Sequence, residues 1–174
     1  MMQDIKWNNL RNVLERYAEA WIKNAEANLM ANDSNASGAL QRSMIVNDIV
    51  IDDKKFSVTI ELEDYWYYVE HGTSPNYGAK KHERKMPPIQ PIIEWIENKP
   101  VPPKVEGLTV KQRAFAIAKS IQKNGTKPRP FFEKATKQTY SQFKEDIAEA
   151  VEMDIMEYIE NDVLPKLKKV LGAD

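Results

Sequence analysis

Proline is confined to the middle of this chain, and its distribution limits the elements that each part can form. Nine of the ten prolines lie between Pro75 and Pro130. Because proline lacks a backbone N–H and fixes φ, this stretch is expected to consist of loops and short helices. The flanks are almost free of proline, so they can hold long regular elements.

The N-terminal flank predicts a helix followed by a hairpin. Apolar residues at spacings of three and four indicate an amphipathic helix over residues 4–30. Residues 44–51 are rich in Ile and Val, and residues 56–62 alternate apolar and polar side chains, which is typical of strands. The four polar residues 52–55 suit a tight turn, so we expect an antiparallel pair.

The proline-rich middle predicts two short helices. The first covers residues 88–98, starts with prolines that suit a first helical turn, and is expected to turn Trp95 and Ile96 inward. The second starts at Thr109, a good N-cap, and is closed by Gly125 after a stripe of apolar residues at helical spacing.

The C-terminal flank predicts one long helix from about Phe131 to Leu164, with Pro165 ending or kinking it. A helix of that length is about 50 Å long, whereas a compact chain of this size is about 40 Å across. The helix should therefore overshoot its own domain or break near Pro165. Its apolar residues recur every four positions, so the stripe drifts by about 40° per step and should meet different neighbours along its length. They are Phe143, Ile147, Val151, Ile155, Ile159, Val163, Leu167 and Leu171.

Charge is segregated along the chain although the formal net charge is only -1. Residues 80–130 carry 12 basic and 4 acidic residues, and residues 131–163 carry 3 basic and 9 acidic residues. The two segments can pair within one molecule, or head to tail between copies. Between copies, the basic segment of one subunit would contact the acidic helix of the next.

Four consecutive aromatic residues form the most apolar point of the chain: Tyr65, Trp66, Tyr67 and Tyr68. No regular secondary structure turns four neighbours toward one core, so one or two should face a partner or solvent. Alternatively, the rings stay packed while the hydroxyls and the indole N–H reach the surface.

The composition argues against most catalytic chemistry. The chain has no cysteine, which excludes thiolate nucleophiles, cysteine-ligated zinc and iron–sulfur clusters, and its two histidines are too few for a histidine-rich metal centre. Glu70, His71 and Ser74 lie close in sequence, but a tight turn around Gly72 with positive φ explains them better than a catalytic set. We therefore expect no enzyme activity, no metal site and no cofactor.

Neither a membrane span nor a general nucleic-acid surface is expected. No run of about 18 apolar residues exists, and the first ten residues lack the apolar core of a signal peptide, so we expect a protein made and used inside a cell. The basic run 80–85 could contact nucleic acid, but such runs in loops are more often solvated.

Residues 65–75 read YWYYVEHGTSP and resemble the YAxYVExGT signature of the gene-product-ten-like proteins of long-tailed phages and prophages. Trp66 stands where the signature usually has Ala, and the acidic helix after Phe131 is longer than the family's usual ending. The resemblance covers roughly residues 36–140 and depends on the order and spacing of several segments. The others are SGALQRS, MPPIQPIIEWIENK and RAFAIAKSIQKNGTKPRPFF.

The resemblance implies an α+β subunit of a ring in the virion neck, which joins head and tail or completes the tail. Two motifs carry over by position as structural turns. The first is Tyr68, Val69, Glu70, Gly72 and Thr73, and the second is Gly125, Arg129, Pro130 and Phe131. Candidate subunit contacts are Tyr65, Trp66 and Tyr67, with Phe143, Ile147, Val151, Ile155 and Ile159 of the long helix.

We therefore expect an α+β fold with an N-terminal helix, a small antiparallel sheet, several short helices and a long C-terminal helix. Residues 1–130 would form the core and residues 131–174 a helical arm. The expected partners are a six- or twelve-fold homo-oligomeric ring, adjacent neck, portal-side and tail-tube proteins, and incidental DNA, in the virion after assembly in the host cytoplasm. The alternatives are a tail terminator or minor tail component and, less favoured, a prophage-encoded regulatory binding module.

Overall fold

The computed structural model of the protein describes residues 5–32, 38–52, 55–74, 86–98 and 107–172. Its helices and strands form the predicted α+β fold, with a two-stranded antiparallel sheet and long helices near both ends. In chain order they are α1 (Asn8–Ala31), α2 (Ala39–Arg42), β1 (Ile45–Ile51), β2 (Phe56–Glu61), α3 (Trp66–His71), α4 (Ile89–Asn98), α5 (Val110–Asn124), α6 (Phe132–Tyr158), a π-helical turn (Ile159–Val163) and α7 (Leu164–Leu171).

Contacts group the chain into two compact units. Unit 1 comprises Met1–Ala25, Met44–Glu61 and Lys134–Asp174, and unit 2 comprises Glu26–Ser43 and Leu62–Glu133. This grouping runs across the sequence division into residues 1–130 and 131–174, and that division stays a prediction.

Unit 1 is built around the N-terminal part of α1, the hairpin and most of α6. The hairpin pairs Ile51 with Phe56 next to its turn and has one irregularity between Val46 and Asp48. The inner faces of the helices and the hairpin share one apolar core, whose formation is the main favourable term in folding. Its buried members are Leu10, Val13, Leu14 and Ala150, and half-buried Trp7, Ile49, Ile51, Val58, Phe143, Ile147 and Val151 pack against them.

A carboxylate from α6 fixes the start of α1. The helix begins at Asn8 and not at residue 4 as predicted. Asp154 is 1% exposed, and it accepts the backbone N–H of Asn9 at 3.0 Å and that of Leu10 at 2.9 Å. The Asn9 side-chain amide donates to the same carboxylate at 2.8 Å. These are first-turn donors that no residue of α1 itself satisfies, and the negative charge also suits a helix N-terminus.

Replacing Asp154 with alanine is expected to lower the free energy of unfolding by about 2–3 kcal/mol, because it leaves buried N–H groups without an acceptor. Urea denaturation followed by circular dichroism measures the change. Glu149→Ala is the matched control, since Glu149 is an exposed acidic residue of α6 and its loss should cost less than about 0.5 kcal/mol. Equal losses in the two variants would contradict this role for Asp154.

The long C-terminal helix passes through Pro165 without ending. The amide of Leu164 donates to the carbonyl of Ile159, five residues earlier, so the backbone widens into a π turn just before the proline. The turn accommodates a residue that lacks an N–H and whose ring would crowd the preceding turn. The prediction that Pro165 could end the helix is therefore wrong. Beyond Asp154, no side chain up to residue 172 is buried, so the helix overshoots the core of unit 1.

Unit 2 contains the four short helices α2 to α5. The predicted stripe of α5 is confirmed, because Ala114 and Ala118 are fully buried. The predicted N-cap is also confirmed, since the Thr109 hydroxyl accepts the Gln112 amide and the Gln112 side chain accepts the Thr109 amide in a capping box. In α4, Ile96 is buried but Trp95 is exposed, which corrects the expected inward position of Trp95. Neighbouring residues on a helix lie about 100° apart, so only one of them reaches the core.

Candidate functional site

The two sequence motifs that resemble the phage family meet in unit 2. Thr73 and Thr126 form an antiparallel bridge, in which each amide donates to the other residue's carbonyl at 3.2 and 3.1 Å. Their hydroxyl oxygens are 3.0 Å apart, and the Arg129 amide donates to the Val69 carbonyl at 2.9 Å. Segments about fifty residues apart in sequence are thus joined directly through their backbones.

Gly72 allows this close approach. It ends α3 with a φ of 68°, as predicted, in a region that favours glycine. A Cβ atom at this position would overlap the Thr126 carbonyl oxygen and lie 2.8 Å from the Pro128 nitrogen. Both are backbone atoms that cannot rotate away, so the motif junction requires glycine for space as well as for φ.

Glu70 anchors the start of α6. Its side chain is 4% exposed, and one carboxylate oxygen accepts the Phe131 and Phe132 amides at 2.7 and 2.8 Å. The other oxygen accepts the Glu133 amide at 3.0 Å. The carboxylate therefore satisfies three donors at the N-terminus of the longest helix and complements its dipole. We call the assembly of residues 69–73 with residues 125–133 the motif junction.

The aromatic run is divided between the interior and the surface. Trp66 is half-buried and stacks on Phe132, with ring centroids 4.9 Å apart and an interplanar angle of 29°. Tyr65, Tyr67 and Tyr68 are exposed. Partial burial raises the pKa of the Tyr65 hydroxyl above its usual value, and the nearby Glu63 charge adds to the rise. Trp66 thus belongs to the fold, whereas the three tyrosines form an exposed surface.

A surface cavity of about 850 Å³ lies beside the motif junction in unit 2. Rings and aliphatic side chains form most of its wall, and two cationic side chains, Lys127 and Arg129, also line it. Such a surface suits an apolar segment that carries negative charge. The remaining lining residues are Tyr65, Tyr68, Val69, Thr73, Pro87, Pro88, Trp95, Ile121 and Thr126.

The predicted contact residues of the long helix lie in unit 1. Phe143, Ile147 and Val151 pack against the core of that unit, and the Phe143 ring meets Tyr17 edge-on at 5.8 Å. Ile155 is exposed and Ile159 is half-buried. The stripe therefore changes neighbours along its length, and a role in subunit contacts stays a prediction.

Sequence analysis missed the anchoring roles of Glu70 and Asp154. A signal was present for α6, because Pro130-Phe131 precede it and not the Ser, Thr, Asp or Asn that commonly caps a helix. For α1 there was none, because the predicted start at residue 4 is an Asp, which is a common capping residue. Long helices without a local cap indicate that the cap comes from elsewhere in the chain.

The described residues contain no group of three or more His, Asp or Glu side chains that could hold a metal ion. Among the helices that the structure describes, none is long and apolar enough to cross a membrane. A scan against family models and searches of curated proteins and solved structures find no match to this chain.

Proposed function

We propose that this protein is a structural virion protein of a tailed bacteriophage, which forms a closed homo-oligomeric ring in the neck and completes the head–tail connection. The motif junction is the observation that supports this most. The two motifs behind the family resemblance are separate in sequence, yet Glu70 and Thr73 of one bind the backbone of the other, and Gly72 lies closely against it. Two segments that each resemble the family and also contact each other arise by chance more rarely than two similarities in unconnected parts of the chain.

The ring contact is proposed to be head to tail. One copy contributes the exposed tyrosines and the cavity lined by Lys127 and Arg129. The next copy contributes the outer face of α6, where Glu149 and Glu152 are exposed. A contact between two different surfaces closes into a ring when its rotation allows, and we favour six- or twelve-fold symmetry.

Apolar contacts supply most of the affinity in this proposal, and the charges set approach and register. A single exposed ion pair contributes only about 0–1 kcal/mol and weakens with salt. The tyrosine surface and the apolar cavity wall provide area that can be removed from water. The subunit then acts by geometry, holding portal-side and tail-tube neighbours in line around the DNA path, with no catalytic step.

Reversing both charges in Glu149→Lys/Glu152→Lys is expected to raise the concentration needed for assembly about tenfold, because two attractive contacts become repulsive. Light scattering after size-exclusion chromatography measures the mass, and electron microscopy shows whether rings form. Glu15→Lys/Glu19→Lys is the matched control, since it makes the same charge change on exposed residues of α1.

A wild-type chain that never exceeds a dimer at high protein concentration would overturn the ring. Equal weakening in the control variant would overturn the proposed contact but not the ring. A dimer that binds DNA or a small molecule would instead favour the prophage regulatory module.

A further inference from the structure

The helix α7, about two turns long, carries an apolar face that none of the described residues of unit 1 buries. Leu164, Leu167, Val170 and Leu171 are all exposed, with Val170 82% and Leu171 78% exposed. In a helix at about 100° per residue, these four positions fall within an arc of about 120°. Lysines occupy most of the remaining circumference, so α7 is amphipathic.

The π turn aligns this face with exposed apolar residues of α6. Ile155 and Met156 are exposed near the end of α6, on the side away from Asp154, which faces α1. A π turn rotates less per residue than an α turn, and it therefore offsets the drift of the four-residue apolar spacing. One apolar strip consequently runs from Ile155 to Leu171, about 25 Å along the helix.

Charges flank this strip in a definite order. Asp162 and Lys166 lie on one edge, and Glu160 and Lys168 lie on the other, so that on each edge the acidic residue comes first. Pairing two copies in parallel would bring acid against acid and base against base. Pairing them antiparallel about a two-fold axis near Leu164 brings Glu160 opposite Lys168 and Asp162 opposite Lys166.

We infer that the strip from Ile155 to Leu171 is a self-association surface, which pairs antiparallel with the same strip of a second copy. We identify the partner as a second copy because of the charge order. The charges of two identical strips are complementary only when the strips run antiparallel. Apolar side chains supply the attraction and the flanking charges fix direction, as in coiled coils. The inference does not rest on the proposed ring, because Glu149 and Glu152, which carry the head-to-tail contact, lie outside the strip.

The first experiment tests the apolar strip in the full chain. Leu167→Asp/Val170→Asp should weaken the two-fold pairing at least tenfold, and sedimentation velocity should show the mass of the assembly halved. Both side chains are exposed, so circular dichroism should show unchanged helix content. The control Lys169→Glu alters the opposite side of α7 and should leave the mass unchanged.

The second experiment tests the orientation. Lys166→Glu/Lys168→Glu should weaken pairing, because acid then faces acid at both edges. Adding Glu160→Lys/Asp162→Lys to the same chain exchanges all four charges and should restore pairing to within about threefold of the wild type, since an antiparallel contact is again complementary. In a parallel pair, like charges face each other in the wild type and in both variants, so neither variant would change pairing.

An assembly mass that Leu167→Asp/Val170→Asp leaves unchanged would overturn the self-association surface. If Lys166→Glu/Lys168→Glu weakened pairing and the variant with all four charges exchanged did not restore it, the antiparallel arrangement would be overturned. Either result leaves the ring unaffected, because the ring is tested by the Glu149 and Glu152 reversals. A wild type that forms only dimers, which these variants dissociate, would uphold this surface while overturning the ring.

Discussion

Replacing Glu70 with alanine is expected to lower the free energy of unfolding by about 3 kcal/mol or more. The substitution removes a buried carboxylate that accepts three amides at the start of α6. Hydrogen bonds to a charged group contribute about 1.5–3 kcal/mol each, and buried donors left unsatisfied carry the full cost of desolvation. The free energy of unfolding of native proteins is about 5–15 kcal/mol, so this loss would be a large fraction of the total stability. Urea denaturation followed by circular dichroism gives the value.

Glu70→Gln separates charge from shape in the same experiment. Its amide oxygen can still accept two of the bonds, whereas its NH₂ group faces a backbone donor, so we expect an intermediate loss of about 1–2 kcal/mol. Glu97→Ala is the matched control in unit 2, because Glu97 is exposed on α4. If Glu70→Ala proved no more destabilising than this control, the anchoring role of Glu70 would be wrong.

Replacing Gly72 with alanine is expected to cost about 3 kcal/mol or more. Positive φ strains any residue with a Cβ by about 1–2 kcal/mol, and the new methyl group also collides with the backbone at Thr126 and Pro128. The two segments of the motif junction would have to separate, which would break the bridge between Thr73 and Thr126. Thermal or urea denaturation of the variant measures the loss.

Gly107→Ala isolates the contribution of φ alone. Gly107 has a φ of 83°, and a Cβ added there would meet no atom within 4 Å. Its cost should therefore be only the strain of about 1–2 kcal/mol. The difference between the two variants reports the close packing at the motif junction, and similar losses at both positions would refute that packing.

The substitutions at Glu70 and Gly72 and the charge reversals at Glu149 and Glu152 bear on the proposed function in different ways. Glu70 and Gly72 hold the fold of unit 2 together, whereas the Glu149 and Glu152 reversals alter only exposed side chains of α6. If the ring is lost in the Glu70 and Gly72 variants but not in the charge-reversal variant, the subunit has lost its structure. If the ring is lost in the charge-reversal variant alone, a subunit contact has been lost.

Local patterns in the sequence determined the elements whose causes are themselves local. The hairpin follows from alternation and a polar turn, and α5 follows from its apolar period and the Thr109 cap. Gly72 could be assigned positive φ because a turn after a short helix demands it, whatever lies nearby. In each case the residues that decide the conformation lie within a few positions of one another.

Only the tertiary structure decided where α1 begins, which carboxylates cap the two long helices, and which aromatic side chains the fold uses. The carboxylate at the start of α6 comes from 61 residues earlier in the chain, and the one at the start of α1 comes from 145 residues later. Trp66 packs inward because Phe132 lies against it, and no local period distinguishes it from its tyrosine neighbours. Hydrogen bonds and stacking act between groups that folding brings together, so a pattern confined to a few neighbouring residues cannot contain them.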